Sequence, residues 1–448
     1  MQRDFRKKIA VIGTGISGMS AAWLLSQNHD VTVYECERRL GGHSNTVSVK
    51  TASGDIAVDT GFIVYNELTY PNLTALFRHL DVPTDLSEMS FAVSLADGDL
   101  EYSGSWAGLL AAKRNLLRPR FWSMLRDVHR FYREAPRDLV QLEEIHTTLG
   151  DYLEAGSYGT AFRHDHLLPM AAAIWSAPAR QILNYPAAAF IRFHESHGLL
   201  KLRNRPPWRT VRGGSHVYVE RLTRSYKDRV RLGSAVTAIV RGPSSVNVRD
   251  KSGAVTTFDD VVVACHADQS LALLTDASVE ERRLLGTFRY SDNVTILHSD
   301  ARLMPRRRAV WSSWNYMSPT GNDENCPSVT YWMNSLQNIP QQTPLFVSLN
   351  PQIAPRDEHH REIYQHPLFD AGAIAAQRQL WSLQGQRHTW FAGAYFGSGF
   401  HEDGLQAGLA VAEALGGSKR PWQVENESGR ISITPLNSVS ARAEARAA

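Results

Sequence analysis

Residues 8–12 (KIAVI) form a short apolar run rich in β-branched side chains, and it stops at the glycine-bearing stretch GTGISG, residues 13–18. A strand delivered into a glycine turn is predicted. Residues 19–26 (MSAAWLLS) have helix-forming composition and residues 31–35 (VTVYE) read as a second strand, so the chain opens with a βαβ unit. Residues 71–80 and 120–141 carry helical periodicity, and 151–155 begin another helical pattern after Gly150. Four more β-rich runs, 293–298, 309–314, 328–333 and 345–349, are separated by turn residues and predict an antiparallel sheet. Beyond Gly417 the chain is polar and aperiodic, the pattern of a poorly ordered end.

Composition narrows the class. With 448 residues, 43% hydrophobic and 21% charged, the chain suits two or three ordinary globular domains, and collagen, coiled-coil, disordered and disulfide-framework classes are excluded. No run approaches the roughly 18 apolar residues of a membrane span, and the basic start enters a strand without a signal-peptide core, so a cytoplasmic location is expected. Cys36, Cys265 and Cys326 share no metal-like or redox-like spacing and are read as reduced. The net charge of +3 calls for no nucleic acid, but it hides an asymmetry. Residues 105–133 hold seven Lys/Arg and one acid, an excess of +6 that leaves the rest of the chain at −3. Trp106, Phe121, Trp122, Phe131 and Tyr132 interleave with these charges. Two readings stand: a solvated helix face, or a surface that lies on anionic lipid.

The glycine loop carries the first chemistry. Gly13 allows the tight turn, Gly15 lets the backbone approach a pyrophosphate, and Gly18 lets the helix pack on the strand, while N–H groups around Ser17 at the helix start hold phosphate. Glu35, at the end of the second strand, accepts adenosine ribose hydroxyls. Shortly after it comes a second glycine pair, Gly41-Gly42, followed by His43. A nicotinamide enzyme has no special need for it, whereas FAD must be threaded past a second close backbone contact.

With these motifs the chain resembles the FAD superfamily of amine oxidases, phytoene-type desaturases and protoporphyrinogen oxidases, in particular a bacterial branch of predicted flavoproteins associated with cyclopropane-fatty-acid synthase genes. Residues 59–66 (DTGFIVYN), with Gly61 and Tyr65, are similar to the family's segment under the isoalloxazine. Arg212-Gly213-Gly214 followed by residues 218–222 resembles its returning glycine pair and helix, residues 236–240 and 258–264 the strands that complete its FAD domain with Val236 facing the adenine, and residues 390–408 its C-terminal FAD motif. The resemblance implies an α/β fold: a Rossmann-type FAD-binding domain (1–70, 206–270, 386–417) interleaved with an α+β substrate domain (71–205, mostly helical; 271–385, a sheet), then a polar tail, 418–448. It implies bound FAD held by Gly13, Gly15, Ser17, Gly18, Glu35, Gly41, Gly42, His43, Gly61, Val236, Gly393, Glu402, Gly404 and Leu405. The helix starting near Gly404 would steady negative charge on the flavin pyrimidine. Two positions depart from the pattern: His43 stands where the family often has Arg, and Ala394 where it often has an acid.

The same resemblance implies hydride transfer from a substrate C–H to flavin N5. The absence of a second GxGxxG argues against reduction by NAD(P)H, and no triad-like motif is present. The reading is of an apolar small-molecule substrate, an acyl lipid or polyene, undergoing desaturation or isomerisation; the alternatives are an amine oxidase and a non-catalytic lipid carrier of the Rab dissociation-inhibitor type. His401 and Tyr395 are the catalytic candidates, with a loop-holding role equally open for His401 and a helix-capping role open for Glu402. Tyr65, Trp314, Tyr331 and Phe396 are the substrate candidates, although core packing also explains an aromatic sheet. His194 and His197, three apart, lack a third ligand at a motif distance, so no metal is expected.

Overall fold

The computed structural model describes residues 6–52, 54–145, 147–201, 204–318 and 328–433. Cys326 and the last part of the tail, 434–448, lie outside the described residues; Cys36 and Cys265 are free thiols.

A five-stranded parallel sheet carries the glycine loop. Its order is Val230–Arg231, Asp30–Tyr34, Lys8–Ile12, Asp260–Val263, Thr389–Phe391, so three distant stretches of chain supply one sheet. Its central strands are buried on both faces, as parallel strands between layers are, which explains why they read as continuous apolar runs. The helix Ile16–Leu25 is buried at all ten positions. It lies under the C-terminal helix His401–Ala414, and the two approach closely because Gly408 has no side chain: a Cβ there would lie 2.2 Å from the Ser17 carbonyl oxygen. Beside this body runs a three-stranded antiparallel meander, Val236–Arg241, Val246–Asp250 and Val255–Phe258.

The second large sheet has seven strands in the order Glu358–Leu368, Arg289–His298, Phe346–Leu349, Ser328–Trp332, Trp314–Ser318, Phe91–Leu95, Leu100–Ser103. It corrects the expected antiparallel sheet in three ways. Phe91–Leu95 joins it in parallel with Trp314–Ser318, bringing a hairpin from the otherwise helical first pass. The strand expected over 309–314 is displaced: Arg308–Val310 is a 3-10 turn and pairing begins at Trp314. There Ser312 N–H donates to Asn315 Oδ1 (2.9 Å) and Ser313 N–H to Ser90 Oγ (3.0 Å), so side chains take the donors a ladder would use. The long strand Glu358–Leu368 has no counterpart among the β-rich runs because it is a polar edge strand ending near Pro367, a residue an edge tolerates.

The helices of the first pass include Pro71–His79, Pro119–Glu144, Leu149–Ala155, Leu168–Trp175 and Ala187–Ser196. The start of the tail is also corrected. Arg420 is buried on Glu413 (2.8 Å), the Trp422 ring stacks 5.9 Å from Trp23, and Arg430 pairs with Asp403 (2.7 Å), so residues 420–430 are docked. No helix among the described residues is long and apolar enough to cross a membrane.

Gly408→Val places branched carbons inside the Ser17 carbonyl and should lower unfolding stability by about 3 kcal/mol, read by chemical denaturation; an unchanged midpoint would show that the two helices can separate freely.

Candidate flavin site

The glycine loop is built by close contacts that leave one opening. Gly13 sits at φ +98° with its N–H donating to the Tyr34 carbonyl (2.8 Å), and a Cβ on Gly18 would lie 2.0 Å from the Gly13 oxygen. At Gly15, by contrast, a Cβ would meet nothing within 4 Å. Gly15 also begins the helix Ile16–Leu25 with no side-chain cap and no acid in the first turn, so backbone N–H groups of residues such as Ser17 form an uncompensated positive end. Empty space against an uncapped helix start is what a diphosphate requires. Gly41 N–H donates to the Thr14 carbonyl (3.1 Å), and a Cβ on Gly42 would lie 3.1 Å from Gly15 Cα, so the second glycine pair rests on the first loop. Glu35 accepts from Thr14 N–H (2.8 Å) and Glu37 N–H (2.9 Å) and is buried beside the same loop. Val236 opens the meander, following a strand that runs beside Asp30–Tyr34.

From the loop the chain enters an interior space. The His43 ring lies 5.0 Å from Tyr364, 5.6 Å from His366 and 6.4 Å from His266. Gly61 packs on the His43 carbonyl, and the next residue, Phe62, stacks on His401 at 3.9 Å. His401 Nε2 is 2.7 Å from the Tyr218 hydroxyl, which also bonds Ser44 Oγ. Desolvation pushes His43 well below its ordinary pKa, His366 down to about 4 and His401 down to about 3, although all three rings keep accessible surface. Trp314 and Tyr331, paired across two strands with rings 5.0 Å apart, also keep accessible surface, and the Trp314 indole N–H is buried without a partner. Past Gly399, whose α-carbon faces Phe369 and Pro367, an apolar cavity of about 150 Å³ is lined by Trp175, Ile182, Tyr185 and Phe190 as well.

Other candidates fall elsewhere. Tyr395 and Phe396, expected at the substrate, are 2% and 1% exposed and pack on each other and on Phe288, so they present core rather than a lining. Ala394, Ser398 and Phe400 are half-buried, with Phe400 stacked on Phe193 at 4.8 Å. Tyr65 is buried against Tyr70 and Phe77 and borders a surface recess with Glu67 and Arg209. Glu402 caps a helix other than its own: it accepts from Asn72 N–H (3.0 Å), Leu73 N–H (2.9 Å) and Gln406 Nε2 (2.9 Å), closing the N-terminus of Pro71–His79, so its carboxylate is spent on that helix. Gly404 packs on Ile16 and Ser17, Leu405 is fully buried, and Gly393 packs on the Tyr395 ring. His194 and His197 each bond a carbonyl four residues back and stack on Phe190 and Phe193.

Asp59 is not among the candidates that the sequence suggests. It accepts from Ser215 N–H (2.9 Å), Ser215 Oγ (2.7 Å), Thr46 Oγ1 (2.6 Å) and Gln337 Nε2 (3.0 Å), tying the segment before Gly61 to the helix after Gly214. A carboxylate-and-turn pairing between two glycine motifs is its only trace in the sequence.

An open glycine cradle at an uncapped helix start, carried on a parallel sheet, defines a dinucleotide-binding fold. The family model for flavin containing amine oxidoreductase matches residues 16–297, and the chain belongs to that family. It is an FAD-dependent oxidoreductase. None of the curated proteins compared matches it. Among solved structures it is similar to a conjugated-linoleic-acid-producing fatty acid isomerase from P. acnes (15% identity, 91% of this chain and 98% of that one, TM-score 0.64). It is also similar to a cofactor-binding variant of putrescine oxidase (14%, 92% and 98%, 0.68) and to reduced UDP-galactopyranose mutase (13%, 96% and 99%, 0.62). At these identities the likeness is one of fold.

Two outcomes check the site. Because Gly15 faces open space, Gly15→Trp should fold with unchanged circular dichroism and lose its flavin absorbance; retained flavin would remove the cradle. Burial holds Asp59 up to about 6, above its ordinary 3.8, so the folded state binds its proton more tightly than the unfolded chain does. That group's contribution to stability therefore falls as pH rises from about 4 to 6, by roughly 1.4 kcal/mol for each pH unit crossed in that window. Asp59→Asn should flatten this limb in pH-dependent denaturation; a wild-type-minus-variant difference that rises with pH would reverse the assignment.

Proposed function

We propose that this flavoenzyme acts on an apolar substrate, an acyl lipid chain or polyene, as a desaturase or isomerase. The observation that carries the reading is the electrostatics of the lining. Burial holds the imidazoles of His43, His366 and His401 neutral. Neutral imidazoles give an ammonium group no counter-ion, while Trp314, Tyr331, Phe62 and Phe400 offer aromatic surface to a hydrocarbon.

Bound FAD supplies the two-electron acceptor. The protein supplies alignment and dryness. Trp314 and Tyr331 hold the apolar chain on one side. Tyr218 fixes His401 flat against Phe62; unprotonated at neutral pH, His401 acts as a fixed neutral wall rather than as an acid. The cavity near Gly399 gives the remainder of a long chain room among apolar side chains.

A second reading, amine oxidation, is favoured by the family match itself. Holoprotein exposed anaerobically to panels of unsaturated lipids and of amines separates the two. Lipid should bleach the visible flavin absorbance, or be isomerised with no lasting bleaching, while amines leave it unchanged. Bleaching by amines alone would replace the lipid reading with the second.

A further inference from the structure

We propose that the corner formed by the helix Trp106–Leu110, the 3-10 turn Lys113–Leu117 and the start of the helix Pro119–Glu144 docks on the surface of an anionic phospholipid bilayer. Four large apolar side chains stand out from it: Trp106 is 81% exposed, Leu110 51%, Leu117 85% and Trp122 54%. Trp106 and Leu110, four apart, share one side of their helix. The Trp122 indole N–H donates to the Leu116 carbonyl (2.8 Å), which holds its ring over the turn that carries Leu117.

The charge around these residues is larger than their own segment supplies. The turn Arg308–Val310 packs against Trp106–Leu110 and against Leu100–Ser103, so Arg306, Arg307 and Arg308 arrive from the far side of the sequence. Together with Lys113, Arg114, Arg118, Arg120 and Arg126 they make eight basic groups against five acids, a surplus of +3. Every one of those acids is engaged. Asp99 holds Arg114 (3.1 Å) and Arg118 (2.7 Å), Asp165 holds Arg120 (2.7 Å), and Glu101 holds Arg307 (2.6 Å). Asp97 pairs with Arg306, and Asp127 lies 3.8 Å from Arg126 and 3.6 Å from Arg130. Lys113 makes no ion pair among the described residues, and neither does Arg308, whose guanidinium stacks 3.7 Å over Trp311.

Shape and chemistry decide the partner. The core of a protein interface is flat or concave and depleted of charge, whereas here protruding side chains are interleaved with cations. Fluid lipid closes around a projecting indole or leucine while phosphates meet the guanidinium and ammonium groups beside it. The inference is independent of which substrate the flavin site takes.

The test is sedimentation of holoprotein with vesicles of phosphatidylcholine alone and of phosphatidylcholine with phosphatidylglycerol in about equal parts. Binding should require the anionic lipid and decline with added salt. Trp106→Ser with Leu117→Ser should lower the affinity about tenfold or more, and Lys113→Gln about fivefold, each with flavin content and circular dichroism unchanged, because these side chains are exposed. Equal or absent binding to the two vesicle types overturns the proposal. So does binding that ignores the apolar substitutions and is matched by polyglutamate, which would assign the corner to an acidic polypeptide.

Discussion

Everything in the flavin-binding body depends on how closely the helix Ile16–Leu25 can be approached. It is pressed onto the sheet at Gly18, where the Gly13 carbonyl occupies the place of a side chain, and onto the C-terminal helix at Gly404 and Gly408, where Ile16 and Ser17 do the same. These contacts aim the uncapped helix start at the open space beside Gly15. A shift of one ångström would break the contact or close the opening, so the loop's geometry and the packing of residues nearly four hundred positions away are one constraint.

The first turn of the C-terminal helix then locks the rest. Glu402 reaches out to cap Pro71–His79, and Asp403 accepts from Phe400 N–H (2.8 Å) while pairing with Arg430. Two acids at a helix start would ordinarily serve that helix's own dipole. Here they also hold an element of the first helical pass and the docked part of the tail. The segment Ala394–His401 is thereby fixed at its C-terminal end by two carboxylates bonded to elements far from it in sequence.

The local features of this arrangement are legible in the sequence. The βαβ unit and the glycine pairs announce themselves through spacing that backbone approach demands. Features made by distant partners are not. Phe91–Leu95 and Leu100–Ser103 are joined by Asp97-Gly98, a hairpin signal that is present but outweighed by the helical runs that follow. Which aromatics face the cavity cannot be read at all: Tyr395 and Phe396 adjoin Ser398 and Phe400 in one motif, and only the 3-10 turn at Ala394–Phe396 decides that the first pair goes inward. Nor does any spacing reveal that Arg306, Arg307 and Arg308 stand beside Trp106.

A helix buried on all sides carries a cost in time. Ile16–Leu25 leaves the ribosome long before its cover, His401–Ala414, and long before the outer strand Thr389–Phe391. Until they arrive, an apolar helix with no polar face must wait, either shielded by other non-native contacts or held by a chaperone. The packing that makes the dinucleotide cradle rigid in the finished protein thus makes its assembly a late event, and the cradle can close around its cofactor only once both of those distant segments have been synthesised.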